Sequence, residues 1–303
     1  MKNLLLMKEM LPNDYVGFTF FVGCMAMMAA SAFFFLSLNQ FDKKWRTSVL
    51  VSGLITFIAA VHYFYMKEYW AEVGQSPTFF RYVDWVLTVP LMCLEFFLIL
   101  KVAGAKTDLL WKMIGLSVVM LVTGYLGETV YKDSAALWGG ISGLAYFVIV
   151  YEIWLGSASK LAKAAGAKIS LLWKLLAASV WMLVAGYIGE AFTDGSSSHS
   201  VIWGFLSTIG YVYILYTAWF GEVAQLAEKS GNETVVKGVR ILAWFVLVGW
   251  AIYPLGYMMG TTGWYNSMIP SGNIDIAYNI ADAINKIGFG LVIYNLAVQS
   301  QKD

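Results

Sequence analysis

The sequence has 303 residues, of which 59% are hydrophobic and 13% charged, with a formal net charge of +1. Its mean hydropathy of +0.66 excludes a soluble domain, and its apolar runs near 20 residues favour an all-α membrane protein over a β-barrel. The near-neutral charge gives no reason to expect a nucleic-acid partner. Cys24 and Cys93 fall inside apolar runs, so we expect neither a disulfide nor a metal site.

Nine apolar runs are long enough to cross a bilayer as helices, within a single transmembrane domain spanning residues 1–303. They cover residues 15–38, 46–66, 78–101, 109–130, 135–156, 170–191, 201–221, 239–260 and 273–298. The connections on one side of the membrane carry 14 Lys/Arg residues, and those on the other side carry four. The positive-inside rule therefore predicts a multi-pass protein of the cell (inner) membrane, with its N-terminus outside and its C-terminus in the cytoplasm.

The third span carries Arg81, Asp84, Thr88 and Glu95 at steps of three, four and seven residues, which places all four on one helix face. Asp84 and Glu95 are separated by about 16 Å along the helix axis. Two carboxylates at two depths, with a lysine on another span, indicate a proton path, whereas the alternative is polar contact between helices. In the second span His62 stands alone, and by itself it indicates only a buried polar group.

The fourth and fifth spans are followed by a second copy of themselves. LLWKMIGLSVVMLVTGYLGE at 109–128 recurs as LLWKLLAASVWMLVAGYIGE at 171–190, with 13 of 20 positions identical. The next helix recurs as well, so residues 107–157 and 169–222 form duplicated two-helix units. A natural duplication and an engineered insertion both explain this pattern.

The last two spans carry the remaining informative residues. In the eighth, Pro254 predicts a kink beside Trp250 and Tyr253. In the ninth, Asp282 and Lys286 are four residues apart and share one helix face. A charge at this depth costs roughly 2.5–3.5 kcal/mol, so it is rare unless it is paired or functional. The pair is either a salt bridge between helices or a lysine that forms a Schiff base with a carbonyl cofactor, with Asp282 as its counterion.

Three stretches together, RYVDWVLTVPL with Glu95, GWAIYPLGY and YNIADAINKIGFG, closely resemble the microbial rhodopsins, in particular the proteorhodopsin and xanthorhodopsin group. The resemblance covers nearly the whole chain. It implies a light-driven outward proton pump, an ion transporter and not an enzyme, with all-trans retinal bound to Lys286 through a protonated Schiff base. It implies Asp84 as proton acceptor, Glu95 as proton donor and Asp282 as second counterion.

The same resemblance implies roles for further residues. Thr88 completes the Asp-Thr-Glu set of outward proton pumps, Arg81 supplies a switchable positive charge below Asp282, and His62 contacts the acceptor aspartate. Met92 falls where the group tunes its colour, and an apolar residue there resembles the green-absorbing members. Ten residues match retinal-pocket positions: Trp85, Met92, Met120, Gly124, Ser142, Tyr146, Trp250, Tyr253, Pro254 and Tyr278.

The departure from the family is the helix count. The family has seven helices, so we expect a seven-helix rhodopsin bundle plus an extra transmembrane helical hairpin. We expect the first copy to line the pocket, with Met120, and the second to lie outside it. The opposite arrangement is nearly as plausible, because Met182 and Gly186 make the second copy equally pocket-like. The family's ring-shaped assemblies imply a homo-oligomer, a pentamer or hexamer, in the lipid bilayer.

The resemblance also raises a carotenoid antenna. Gly139 and Gly204 match a position where xanthorhodopsin-like members have glycine, which opens a window onto the retinal ring. Glycine serves close helix packing equally well. A photosensory rhodopsin and an engineered nine-helix scaffold are the alternatives to a pump, and a light-induced change in external pH separates them.

Overall fold

A computed structural model describes residues 12–101, 104–164, 166–191, 197–231, 233, 235–244, 247 and 274–301. Within these ranges the chain is helical and contains no strands. The main helices are Tyr15–Ser37 (α1), Lys43–Val73 (α2), Thr78–Lys101 (α3), Thr107–Tyr125 (α4), Ala135–Trp154 (α5), Ser157–Ala164 (α6), Ile169–Ala191 (α7), Ser197–Trp219 (α8), Glu222–Lys229 (α9) and Ile274–Gln299 (α10). Residues 126–130 continue α4 as a π-helical turn, and residues 235–244 are helical.

Eight helices of the described part are long and apolar enough to cross a membrane, and the chain is an all-helical, multi-pass membrane protein. The predicted ninth crossing, 239–260, lies mostly outside the described residues, so the count of nine stays a prediction. The bounds of α3 agree with the predicted span 78–101. In contrast, α2 continues beyond residue 66 to Val73 and ends only at Gly74, whose φ of 69° favours glycine.

The first three helices and the last one form one side of the bundle. Helix α1 packs on α2, α2 on α3, and α10 packs on both α1 and α2. Large buried side chains, including Phe20, Met27, Tyr63 and Met66, fill the α1–α2 interface. Apolar packing of this kind, together with interhelical hydrogen bonds, holds membrane helices together because lipid supplies no hydrophobic driving force between them.

The two copies of the duplicated unit fold into the same kind of helix pair. In the first copy, α4 packs on α5 and the Ser142 hydroxyl donates to the Met120 carbonyl at 2.8 Å. In the second, α7 packs on α8 and the Ser207 hydroxyl donates to the Met182 carbonyl at 2.9 Å. The repeated hydrogen bond shows that sequence identity between the copies carries through to helix contacts.

The copies occupy different places in the bundle. Helix α4 packs beside α3, whereas α7 packs against α5. Helix α8 reaches the segment that follows it, since the Tyr211 hydroxyl donates to the Leu247 carbonyl at 3.1 Å and the rings of Trp219 and Trp244 lie 4.8 Å apart. The second copy therefore lies between α5 and the segment that carries Trp244 and Leu247.

Candidate functional site

The centre of the bundle holds a lysine between two carboxylates, and we call Lys286, Asp84 and Asp282 the lysine centre. Lys286 Nζ donates hydrogen bonds to Oδ2 of Asp84 and to Oδ2 of Asp282, the latter at 2.7 Å. Lys286 is 4% exposed and Asp84 fully buried. A buried charge requires an opposite charge and hydrogen bonds to offset its lost hydration, and here α3 and α10 each supply one carboxylate. The structure thus brings together the three residues that the sequence singled out.

Two more predicted residues lie against this centre. The Thr88 hydroxyl donates to the backbone carbonyl of Asp84 at 2.9 Å. His62 Nδ1 lies 3.9 Å from Oδ1 of Asp84, within ion-pair range but too far for a hydrogen bond, and its nearer partner is the Ile58 carbonyl at 2.8 Å. His62 therefore lies close to Asp84, but no hydrogen bond joins the two side chains. Among described residues, Oδ1 of Asp84 has no hydrogen-bond partner.

Arg81 pairs with a carboxylate that the sequence reading did not single out. Its guanidinium donates to Asp275 at 2.8 Å and to the Asn279 side chain at 2.7 Å, and the Ser76 hydroxyl donates to the same Asp275 oxygen at 2.8 Å. Arg81 and Asp275 are both buried. Asp275 and Asn279 lie seven and three residues before Asp282, which places them on the same face of α10. Arg81 is thus held by the first turns of α10.

The second predicted carboxylate, Glu95, lies on the same buried face of α3, 11 residues after Asp84. The Ser52 hydroxyl of α2 donates to Oε1 of Glu95, while Oε2 has no hydrogen-bond partner among described residues. Gly290 of α10 lies beside this pair, where an added Cβ would fall 2.6 Å from the Phe34 ring and 3.1 Å from Ser52 Cβ. Glycine therefore lets α10 approach α1 and α2 at the depth of Glu95.

Among the predicted pocket residues of the first copy, Gly124 lies next to α3. A Cβ added to Gly124 would lie 3.3 Å from the Tyr82 hydroxyl of α3 and 3.5 Å from Ser142 Oγ. Tyr82 also packs edge-on against Trp85 at 5.3 Å. Met92, Met120 and Tyr146 are half-buried, and Tyr278 lies 5.8 Å from the Arg81 guanidinium. Trp250, Tyr253 and Pro254 lie outside the described residues.

The lysine centre fits a carbonyl chromophore of the kind that the sequence predicts. Lys286 presents a primary amine in the buried interior, which is the group that condenses with an aldehyde. Asp84 and Asp282 supply two anions beside it, so a positive charge kept on that nitrogen has its counterions in place. The unpartnered Oδ1 of Asp84 leaves this carboxylate with acceptor capacity for a proton.

Comparison with known proteins gives one consistent answer. The sequence model of the family described as bacteriorhodopsin-like protein matches residues 14–172 and 156–300, so each match contains one copy of the duplicated unit. A green-light absorbing proteorhodopsin from a gamma-proteobacterium is 33% identical over 292 residues, covering 96% of this chain and 90% of that protein. A blue-light absorbing proteorhodopsin from another gamma-proteobacterium is 33% identical over 295 residues, covering 96% and 89%.

Solved structures agree in fold. Thermophilic rhodopsin superposes with a TM-score of 0.53 at 26% identity, covering 95% of this chain and 94% of that one. Xanthorhodopsin, described as a light-driven ion pump with dual chromophore, superposes with a TM-score of 0.50 at 25% identity, covering 97% of each chain.

Proposed function

Since the chain belongs to the family of bacteriorhodopsin-like proteins, we propose that this microbial rhodopsin is a retinal-binding, light-driven outward proton pump. The observation that carries the proposal is the buried Lys286 amine between Asp84 and Asp282, with Glu95 at a second depth on α3. A pump needs an acceptor and a donor on opposite sides of the proton-carrying nitrogen, and one helix face supplies both.

Lys286 would hold retinal through its side-chain nitrogen, with Trp85 and the first copy's Met120, Gly124 and Ser142 among the pocket residues. When bound, retinal absorbs visible light and changes shape, which supplies the energy for transport. The nitrogen of Lys286 holds the proton to be moved, and Asp84 is the carboxylate in contact with it.

The two carboxylates take different parts in transport. Asp84 accepts the proton from Lys286, because it is the carboxylate of α3 within hydrogen-bond reach of that nitrogen. Glu95 returns a proton to Lys286 from the other direction along α3, and its full burial favours the neutral form that carries a proton to donate. Asp282 stays beside the nitrogen as a fixed anion, and Arg81 is held by Asp275 on the side of Asp84 away from Glu95.

The orientation follows from the distribution of basic residues. The excess of Lys/Arg on the connections that share a side with the C-terminus supports a cytoplasmic C-terminus and an N-terminus outside. Asp84 then lies toward the outside and Glu95 toward the cytoplasm, which makes transport outward.

Assembly into a pentamer or hexamer through the first three helices is part of the proposal. Exposed aromatic side chains on α1, such as Phe18 and Phe21, leave that face free for contact with lipid or another copy.

Light-driven acidification tests the proposal. Cells that express the chain with all-trans retinal, in unbuffered medium, should acidify the medium on illumination, and a protonophore should abolish the change. Lys286→Ala should form no visible pigment and give no pH change. A photosensor or a scaffold gives a pigment without acidification, and alkalinisation would reverse the proposed direction.

Separate substitutions distinguish the acceptor from the donor. Asp84→Asn should shift the absorption maximum to longer wavelength and abolish pumping, because it removes a negative charge next to Lys286. Glu95→Gln should leave the absorption maximum nearly unchanged and slow the return of the proton to Lys286, because Glu95 lies at another depth. Absorption spectra and flash kinetics measure both effects, and identical effects from the two substitutions would contradict the two-depth arrangement.

We propose further that the first copy lines the pocket. Its α4 packs beside α3, and Gly124 lies against Tyr82, two residues before Asp84 on α3. Met120→Ala should therefore shift the absorption maximum and Met182→Ala, its counterpart in the second copy, should not. The reverse pattern would place the second copy around the chromophore.

A further inference from the structure

A short helix follows the second membrane helix of each copy. Helix α6 follows α5 in the first copy, and α9 follows α8 in the second, and each short helix has 8 residues. They align without a gap from the glycine that precedes them, so that Leu161 matches Leu226 and Ala162 matches Ala227. The duplication therefore extends beyond the membrane spans into these two helices.

Each short helix lies beside the turn that opens its own copy. Gly104 and Gly166 are equivalent in the repeat and have φ values of 96° and 95°. After the first turn, Ala105 packs against the apolar cluster that contains Ala158 of α6. At the second turn, a Cβ added to Gly166 would lie 3.5 Å from Leu226 of α9. Both short helices are therefore held in equivalent places.

The two short helices differ in charge at matching positions. Helix α6 carries Lys160 and Lys163, which are both exposed, where α9 has Gln225 and Glu228. Lys160 and Lys163 are three residues apart and therefore share one face of α6. In the second copy, the Glu228 carboxylate lies 3.9 Å from the Arg240 guanidinium. Helix α6 thus presents only positive charges, whereas an acid of α9 has a cation of the same chain beside it.

Four exposed lysines on α6 and on residues 101–108 form a surface that we call the basic patch: Lys101, Lys106, Lys160 and Lys163. The two segments lie together, since both contribute to the same apolar cluster. Asp108 is the only acid in them. The next lysine along α4, Lys112, is paired with Glu152 at 2.9 Å, but no ion pair within the described ranges involves a lysine of the basic patch. The described part of the chain therefore leaves these four positive charges without a directly paired anion.

We propose that the basic patch binds the phosphate group of an anionic phospholipid. Only Leu155 and Gly156 separate α6 from the membrane-spanning α5, which places α6 at the level of the lipid headgroups. Buried Ala158 and Ser159 fix one face of α6 against the bundle, while the lysines remain exposed. Basic residues next to a membrane span attract anionic lipids. Binding requires neither retinal nor transport, so it is independent of the proposed function.

Native mass spectrometry of the full chain in detergent tests the proposal, with dioleoyl phosphatidylglycerol as the anionic probe and dioleoyl phosphatidylcholine as the zwitterionic one. Lys160→Gln combined with Lys163→Gln should weaken phosphatidylglycerol binding about 25-fold, because each basic residue near an anionic lipid surface contributes about a fivefold factor. Binding of phosphatidylcholine should not change. Lys229→Gln combined with Lys237→Gln removes the same charge from exposed positions near the second copy, and should leave the binding of both lipids unchanged.

A variant of the second copy tests the same positions by a gain of binding. Gln225→Lys combined with Glu228→Lys gives α9 the two lysines of α6 and should strengthen phosphatidylglycerol binding by a similar factor, and the absence of any gain would contradict the proposal.

Three other results would overturn the proposal. The first is unchanged phosphatidylglycerol binding after Lys160→Gln with Lys163→Gln. The second is equal weakening by the two Lys→Gln pairs, which would show attraction by net charge alone. The third is a rise in melting temperature with inorganic phosphate equal to that with phosphatidylglycerol, which would assign the patch to a soluble anion. Absence of a retinal pigment with the lipid-binding pattern intact would count against the proposed function alone.

Discussion

Ser52→Ala tests whether α2 takes part in the chemistry of Glu95. The Ser52 hydroxyl donates a hydrogen bond to Glu95, and both side chains are buried. A hydrogen bond to a charged group contributes about 1.5–3 kcal/mol, and one between neutral groups about 0.5–1.5 kcal/mol. Ser52 therefore stabilises the carboxylate over the carboxylic acid by about 1–1.5 kcal/mol. Its removal should slow proton donation by Glu95 roughly five- to twelvefold.

Flash-induced absorption changes of the purified, retinal-reconstituted protein measure this effect, because return of the long-wavelength band follows return of the proton to Lys286. Ser31→Ala is the matched control. Ser31 is also a buried serine, but its hydroxyl donates to the Gly53 carbonyl at 3.2 Å. An unchanged rate in Ser52→Ala, or equal slowing in Ser31→Ala, would refute the reasoning.

Two further predictions concern stability and are read from the temperature at which the folded protein is lost. Asp275→Asn should lower the free energy of unfolding by about 1–3 kcal/mol, because the buried Arg81 keeps an acceptor but loses the opposite charge. Glu233→Gln, in an exposed ion pair, should change it by less than about 1 kcal/mol, and equal losses would contradict the role of burial. Gly290→Ala should cost about 1–3 kcal/mol, because its Cβ would meet a phenylalanine ring at 2.6 Å. Gly115→Ala is the control, because a Cβ at Gly115 would meet nothing within 4 Å, and the change should be neutral or slightly stabilising. An equal loss of stability in Gly115→Ala would contradict the close approach of α10 at Gly290.

The lysine centre could be predicted from the sequence because charges inside apolar helices are so costly. Spacing alone places Asp84 and Glu95 on one face of α3, and Asp282 and Lys286 on one face of α10, and burial of Asp84, Glu95 and Lys286 agrees with this. A buried lysine needs an anion beside it, so the face of α10 with Lys286 is expected to meet the face of α3 with Asp84. The residue roles stay predictions, since geometry brings groups together without assigning the direction of proton movement.

Other residues of the site were missed for two different reasons. Asp275 and Asn279 share the helix face of Asp282, so their spacing is a signal that could have identified them. Ser52 carried none, since a single serine in an apolar helix is ordinary and its hydroxyl can bond to its own helix backbone. The predicted end of the second span at residue 66 is too early, because hydropathy marks only the apolar stretch. The helix continues through polar residues to Val73 and ends at Gly74.

No local sequence pattern predicts which helix the second copy packs against. Tyr125 and Tyr187 stand in nearly identical sequences, yet one contacts α3 and the other contacts α5. The difference comes from the partner helix, which offers aromatic rings in one case and glycines in the other. A contact set by two distant segments cannot be read from either segment alone.

The position of the second copy explains how the chain accommodates a second helix pair beside a buried charge cluster. The described polar contacts of Lys286, Asp84 and Arg81 come from α2, α3 and α10, and none of the described ones crosses the second copy. The described polar contacts of the lysine centre therefore come from helices outside the duplicated region, and α7 and α8 extend the wall of the bundle beside α5.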